Sequence, residues 1–319
     1  MHRSSVTPTK SLAILGATGN IGKALAFNLS VRNDIKTHLF ARSPEKIRGF
    51  LSKIEGENKF EIHHLKDFNS YHYDIVVNCI GLGNPSNLKV AGQEIFRITE
   101  KFDDLILEYL KKNYHTTYIS ISSGAVYGKT FKDPVNNQSG SVLNINNLGP
   151  EDYYGIAKIN SEAKHRSFPD LNIVDLRVFS FFSRFIDLNS GFFMSEIINC
   201  IKDNKPLTTT PDDFMRDYVH PKDLLNLILL CAERKGLNDF FDVYSLKPVS
   251  KIELLNFFQK QYGLKYNNKL VPELSSPTGL KPSYYSKSRK AKVLGYVPNH
   301  SSLDGIKNEV QFLLHSHEI

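Results

Sequence analysis

Apolar residues follow two rhythms along this chain. Short, nearly continuous apolar runs recur at residues 12–15, 37–41, 60–63, 75–79, 117–121 and 172–178. Runs of this length predict strands of a parallel sheet that is covered on both faces. Between them lie stretches with apolar positions at helical spacing, at 23–29 and most clearly at 93–112. Alternating strand and helix units predict an α/β fold with a doubly wound parallel sheet. After residue 180 the rhythm changes. Segments 192–202, 222–232, 251–261 and 303–314 read as helices, with Pro, Lys and Tyr at the joins, and one more strand is expected near 240–245. Residues 136–147 are polar, rich in asparagine and without period, a long loop that is either a cover over a site or a passive insertion. No internal repeat is visible.

Chemistry enters at the first strand. Residues 11–22 read Ser-Leu-Ala-Ile-Leu-Gly-Ala-Thr-Gly-Asn-Ile-Gly, an apolar run followed by Gly16, Gly19 and Gly22 at spacing three and then by a helix. Strand, glycine turn and helix start aim backbone N–H groups and a positive dipole end at a pyrophosphate. Gly16 permits the turn, Gly19 lets a phosphate approach, and Gly22 lets helix and strand pack. Thr18, Asn20 and Ile21 share this cradle and are expected to touch the same cofactor.

Tyr154 and Lys158 stand one helical turn apart in Glu-Asp-Tyr-Tyr-Gly-Ile-Ala-Lys. An ammonium beside a phenol favours phenolate and draws the acid down from its ordinary pKa of ~10. That suits general acid–base work at a carbonyl or alcohol. An exposed i,i+4 pair is the plain alternative; Tyr153 has no lysine at i+4 and is set aside. Ser122 and Ser123 close the strand that begins at Thr117. The carboxyl ends of parallel strands open onto the ligand crevice, where a hydroxyl can hold a substrate oxygen.

Taken in order, Gly16-Ala-Thr-Gly-Asn-Ile-Gly22, Ile121-Ser-Ser-Gly-Ala-Val-Tyr-Gly128, Tyr154-x-x-x-Lys158 and Arg216-Asp-Tyr-Val-His220 resemble the extended short-chain dehydrogenase/reductases. More closely the chain resembles their nucleotide-sugar epimerase/dehydratase group, over about residues 11–314. The resemblance implies a Rossmann-type dinucleotide-binding domain at 10–180 with returning segments near 208–246. It implies a smaller interleaved C-terminal substrate lobe at 181–207 and 247–319. It makes Ser123, four residues before Tyr127, the catalytic serine, Tyr154 the acid/base, and Lys158 the residue that tunes the tyrosine and holds the nicotinamide ribose. NAD or NADP would carry the hydride.

Further positions follow from the same resemblance. Where a dinucleotide site selecting NAD places an acid after the second strand, this chain has Arg42 with Ser43 beside it, which tilts the expectation to NADP. Stacking of Arg42 on adenine is the other reading. Asp67 would contact the adenine amino group, and Gly81 with Gly83 would let the cofactor approach the backbone. Arg216 would bind the substrate diphosphate, since a guanidinium makes bidentate contacts with phosphate oxygens. Ser122 and Ser180 fall on the substrate side. Asp223 reads as the cap of the helix that follows.

The chain also departs from the family pattern. Glu94-Ile95-Phe96 replaces an Asn-Val near a helix start, Ser180 replaces an asparagine, and Gly124-Ala125 stand where the dehydratases carry an acid. A 4,6-dehydratase is therefore disfavoured. A 4-ketoreductase with exchangeable NADPH and a C4 epimerase with retained NAD remain. A non-catalytic dinucleotide-binding sensor or structural subunit is the reading from another class. Members of the family commonly pair, and 93–112 with 153–166 are the helices expected to form a homodimer.

Composition narrows the partners. Of 319 residues, 41% are hydrophobic and 23% charged, enough for a large core. The net charge of +7 favours anionic ligands such as phosphates. The basic residues are dispersed, so nucleic acid is not expected; the densest cluster, 287–292, reads as a solvated helix face. Cys79, Cys200 and Cys231 are far apart in apolar contexts, which suits reduced thiols in a cytoplasmic protein. The most apolar stretch, 224–232, is too short to span a bilayer, so no membrane association is expected. His38, His63 and His64 show no ligand spacing and read as structural, and no metal is expected.

Overall fold

The computed structural model describes residues 10–54, 59–86, 88, 92–128, 131–269 and 281–314. Seven parallel strands form its main sheet: β1 (Lys10–Leu15), β2 (Ile35–Ala41), β3 (Phe60–His64), β4 (Ile75–Asn78), β5 (Thr117–Ser123), β6 (Ile173–Val178) and β7 (Asn238–Asp242). Their spatial order is β7-β6-β5-β4-β1-β2-β3. The chain winds outward from β1 to β3, then returns to β4 on the other side of β1. This reversal opens a crevice at the carboxyl ends of β1 and β4, the place where open α/β sheets bind ligands. β4 and β5 are buried along their whole length, β5 with its hydroxyl residues included, whereas the edge strand β3 is half-buried throughout.

Helices α1 (Asn20–Leu29), α2 (Pro44–Leu51), α3 (Glu94–Leu110), α4 (Pro150–Arg166) and α6 (Pro221–Ala232) cover the sheet, while α5 (Phe193–Lys202), α7 (Lys251–Tyr262) and α8 (Ser302–Leu314) pack with one another. On one face Leu25, Ile47, Leu224 and Ile228 join the sheet core. On the other, Ile106, Leu107 and Leu110 of α3 pack with Phe40, Tyr73 and Tyr118. A third core draws every buried member from residue 182 onward, including Ile197, Leu254, Phe258 and Ile306. Ala291, Leu294 and Tyr296 belong to the first core, so the segment expected as lobe, 247–319, is divided between the two bodies. No described helix is long and apolar enough to cross a membrane.

Two local expectations change. His220, not Asp223, caps α6, its ring accepting from the Lys222 N–H, with Pro221 at the first helical position. Asp223 instead accepts from the backbone N–H groups of Asn299 and His300 and binds that returning segment to the helix. The basic run at 287–292 is not a free face. Arg289 lies over the Tyr244 ring at 4.2 Å, and Lys290 lies over Phe240 at 4.0 Å while pairing with Asp239.

A buried charge cluster joins α3, α4 and the sheet. His165, with no exposed surface, bridges Asp103 of α3 at 2.7 Å and Asp175 of β6 at 2.9 Å. Tyr118 also donates to Asp103, and Arg166 donates to Asp175. Burial disfavours the imidazolium, but Asp175 and Asp103 outweigh it and raise the His165 pKa to about 9. The folded value lies above the unfolded one of about 6.5. The stability this histidine contributes is therefore complete below pH ~6.5 and is lost as pH rises through about 9. Melting curves between pH 6.5 and 9.5 should show a larger fall for the native chain than for His165→Gln.

Candidate active site

The glycine turn is built by close approaches. Gly16 leaves β1 at φ +79°, and a Cβ there would lie 2.9 Å from the Cys79 carbonyl carbon beyond β4. Gly19 is the N-cap of α1. A Cβ on Gly22 would meet the Gly16 carbonyl oxygen at 2.4 Å and Ala17 Cα at 2.8 Å. Only glycine lets α1 start this close to β1, and the resulting cradle of N–H groups fits the pyrophosphate of a dinucleotide. Thr18 is half-buried and Gly19 exposed at its mouth; Ile21 packs against the sheet core. The Asn20 carboxamide oxygen accepts from Ser183, which fastens the start of α1 to the segment after β6. Gly22→Ala is expected to weaken dinucleotide binding about 10- to 100-fold, the size of a 1–3 kcal/mol overpacking penalty. Calorimetric titration with NAD measures it.

The adenine-side candidates lie along the ends of the next strands. Arg42 is exposed just past β2, and Ser43 is the N-cap residue of α2. Asp67 is half-buried in a 3-10 turn after β3, near enough to act electrostatically on His63. Gly81 is exposed past β4 with open space around it.

Tyr154 and Lys158 lie on the face of α4 that meets the sheet. Lys158 is buried, and its ammonium donates to the Ile121 carbonyl of β5 at 2.8 Å. Burial pushes the Cys79 thiol up to about 12, and Lys158 is the charge opposing that rise, so the ammonium stands across the ends of β4 and β5. The Tyr154 hydroxyl lies against Gly83, where a Cβ would be 3.2 Å away. Gly155 explains how the helix comes so near: a Cβ there would be 2.7 Å from the Ala125 carbonyl oxygen.

Ser123 is buried at the end of β5. Its Oγ accepts from the Ala125 N–H and lies 3.2 Å from the Tyr284 hydroxyl. Tyr284 is also close enough to Tyr154 to interact electrostatically with it, so three hydroxyl groups gather here. Ser122, by contrast, donates to Glu162 at 2.6 Å and is 3% exposed; the structure gives this hydroxyl an internal partner in place of the expected substrate. Ser180 lies in a two-residue strand paired with Tyr218–Val219, beside the Arg216 segment.

Arg216 brings a positive charge. Its guanidinium lies over the Phe214 ring at 4.3 Å and donates to the carbonyls of Met215 and Lys281. The Lys281 ammonium, 4.5 Å from the Tyr284 ring centre, is buried beside it. Burial, then the Arg216 charge, pushes Lys281 down to about 8. Neither cation has a carboxylate partner among the described residues. A buried ammonium and a half-buried guanidinium with no acid facing them among the described residues form a corner suited to an anion. Lys281, Tyr284 and Gly155 carried no signal in the sequence pattern, because the first two come from a distant C-terminal segment and the third serves only packing. Leu143, from the long loop, lines a small cavity with Tyr154, Gly155 and Lys281.

Fold and site together define a dinucleotide-binding enzyme fold of the extended short-chain dehydrogenase/reductase type. The model of the NAD dependent epimerase/dehydratase family matches residues 12–243, and the chain belongs to that family. Solved structures of the same fold include UDP-glucuronic acid 4-epimerase from Bacillus cereus with UDP-glucuronic acid and NAD, at 19% identity and TM-score 0.75, covering 95% of this chain and 98% of that one. UDP-N-acetylglucosamine 4-epimerase from Methanobrevibacter ruminantium M1 is similar at 17% identity and TM-score 0.77, with 97% and 99% covered. UDP-glucose-4-epimerase from Stenotrophomonas maltophila, with bound NAD, is similar at 15% identity and TM-score 0.79, with 95% and 98% covered. A comparison with curated protein sequences found no match.

Proposed function

We propose that this chain is a C4 epimerase of a nucleoside-diphosphate sugar that keeps its NAD bound. The observation that carries this reading is the pair Arg216 and Lys281, with no acid facing either among the described residues, beside the hydroxyl groups of Ser123 and Tyr154. A diphosphate or another sugar-linked anion supplies the missing charge and places the sugar ring at the tyrosine. Tyr154 takes the proton from the C4 hydroxyl and returns it, Ser123 holds the same oxygen, and Lys158 orders the phenol and the ribose. A bound NAD would supply the hydride acceptor for the oxidation of C4 and would give the hydride back to the opposite face.

The NADP preference expected from Arg42 finds no support among the similar structures: the Bacillus cereus and Stenotrophomonas maltophila enzymes hold NAD. Arg42, exposed beyond β2, is read here as an adenine-side contact. The third core, built from α5, α7 and α8, is read as the substrate lobe. Pairing of two chains through α3 and α4, which pack side by side, belongs to the same reading.

Denaturing the purified protein and weighing the released nucleotide tests the cofactor. NMR of UDP-glucose, UDP-glucuronic acid and UDP-N-acetylglucosamine after incubation tests the reaction. Released NAD with interconversion of C4 epimers is expected. Empty protein that binds NADPH more tightly and reduces a 4-keto sugar nucleotide would replace the epimerase with the ketoreductase.

A further inference from the structure

We propose that His38, Glu61 and His63 form a binding site for a zinc-type divalent cation at the β2–β3 edge of the sheet. The sheet register brings them together. His38 pairs with Glu61 and Phe40 with His63 across the parallel β2–β3 ladder. Side chains two apart on a strand share a face, so His38, Glu61 and His63 project to one side. His38 Nδ1 lies 3.1 Å from His63 Nε2 and 3.2 Å from Glu61 Oε2, and His63 Nε2 lies 3.7 Å from the same oxygen. Three ligand atoms bound to one tetrahedral zinc at about 2.0–2.2 Å stand about 3.3–3.6 Å apart. The observed triangle therefore has the size of one face of such a site.

The surroundings hold the three groups in place. Lys36 binds Glu61 Oε1 at 2.6 Å, which leaves Oε2 turned to the histidines. The His38 ring is packed by Tyr71 and Tyr73, and the His63 ring by Phe40 and Tyr71. His38 is 3% exposed, whereas the Glu61 side chain is 40% exposed, so the triangle opens to solvent on the carboxylate side and leaves room for water as a fourth ligand. Burial pushes both imidazoles below their ordinary range, and neutral rings keep the lone pairs a metal needs. Without a metal, one of the two facing ring nitrogens carries a proton and donates, and the other nitrogen and Glu61 Oε2 are its acceptors; a cation replaces that proton. Two nitrogens and one oxygen select a borderline d-block ion over magnesium or calcium, which take oxygen ligands. The cation would clip the edge strand β3 to β2.

The test uses the full chain, freed of any affinity tag and stripped with chelator, then titrated with cobalt(II) and with zinc(II). One cobalt per chain is expected, with the visible absorption of a tetrahedral nitrogen–oxygen site, no thiolate charge-transfer band, and displacement by zinc. Zinc should raise the melting midpoint. His63→Ala should abolish binding, and Glu61→Gln, which replaces an exposed carboxylate and leaves the apo fold intact, should weaken it about 10- to 100-fold. Uptake that is absent in the native chain, or equal in the native chain and both variants, would overturn the site and leave the cluster as a hydrogen-bonded one.

Discussion

Tyr154→Phe is expected to lower epimerisation about 10²- to 10⁴-fold and to leave the bound dinucleotide unchanged. The ring is kept, so the packing of α4 against the turn after β5, set by Gly155 and Ala125, is undisturbed. Only the hydroxyl facing Gly83 is lost. Lys158 keeps its bond to the Ile121 carbonyl. Turnover with UDP-sugars and cofactor content by mass, measured on the same preparation, separate the two effects. Unchanged turnover would move the acid/base role to Tyr284, whose hydroxyl also lies at Ser123. A chain that acted only as a dinucleotide sensor would be indifferent to this substitution.

Glu162→Ala is expected to destabilise the chain by about 3–5 kcal/mol, the cost of stranding one partner of a buried ion pair. Glu162 of α4 receives Arg177 of β6 on both oxygens, at 3.0 and 3.1 Å from Nε, and accepts from Ser122 as well. Arg177 lies over the Phe240 ring at 3.6 Å and donates to the Tyr127 hydroxyl at 2.8 Å. Tyr127 in turn donates to Asp242 of β7, which also accepts from Ser286. The network thus joins α4, β6, β7, the turn after β5 and the C-terminal segment, with the side chains of Glu162 and Arg177 only 10% and 12% exposed. Thermal melting of Glu162→Ala, Arg177→Met and the pair Glu162→Leu with Arg177→Met checks the claim. The double variant should recover part of the loss, because it strands neither partner of the pair, while Asp242, 4.0 Å from Arg177, loses that cation.

How much of this was readable from the chain depends on how local each cause is. Strands β1 and β4 carry their Leu, Ile and Val where they are buried on both faces, so those runs announced them within a residue or two. The glycine turn was legible because Gly16, Gly19 and Gly22 act on one another over seven positions. Helix α2 was missed although Ser43-Pro44 is a readable start signal, since eight residues give too few turns for a periodic pattern to stand out. Glu162 and Arg177 could not be paired in advance, because only the β5–β6 register and the position of α4 bring them together. The histidines read as structural because His38 and Glu61 become neighbours through β2–β3 pairing, not through spacing along the chain.

The interleaving of the two bodies governs where this chain can be cut. β7 closes the sheet beyond β6, yet it is made from residues that follow the first helix of the other core. A fragment ending near residue 180 would lack β7 and present the backbone of β6 as an open edge, a template on which other chains add strands. Such a fragment should aggregate. Exchanging the second body between relatives would require at least two grafted crossings, one before α5 and one after β7, with the sheet strand between them left in its original chain.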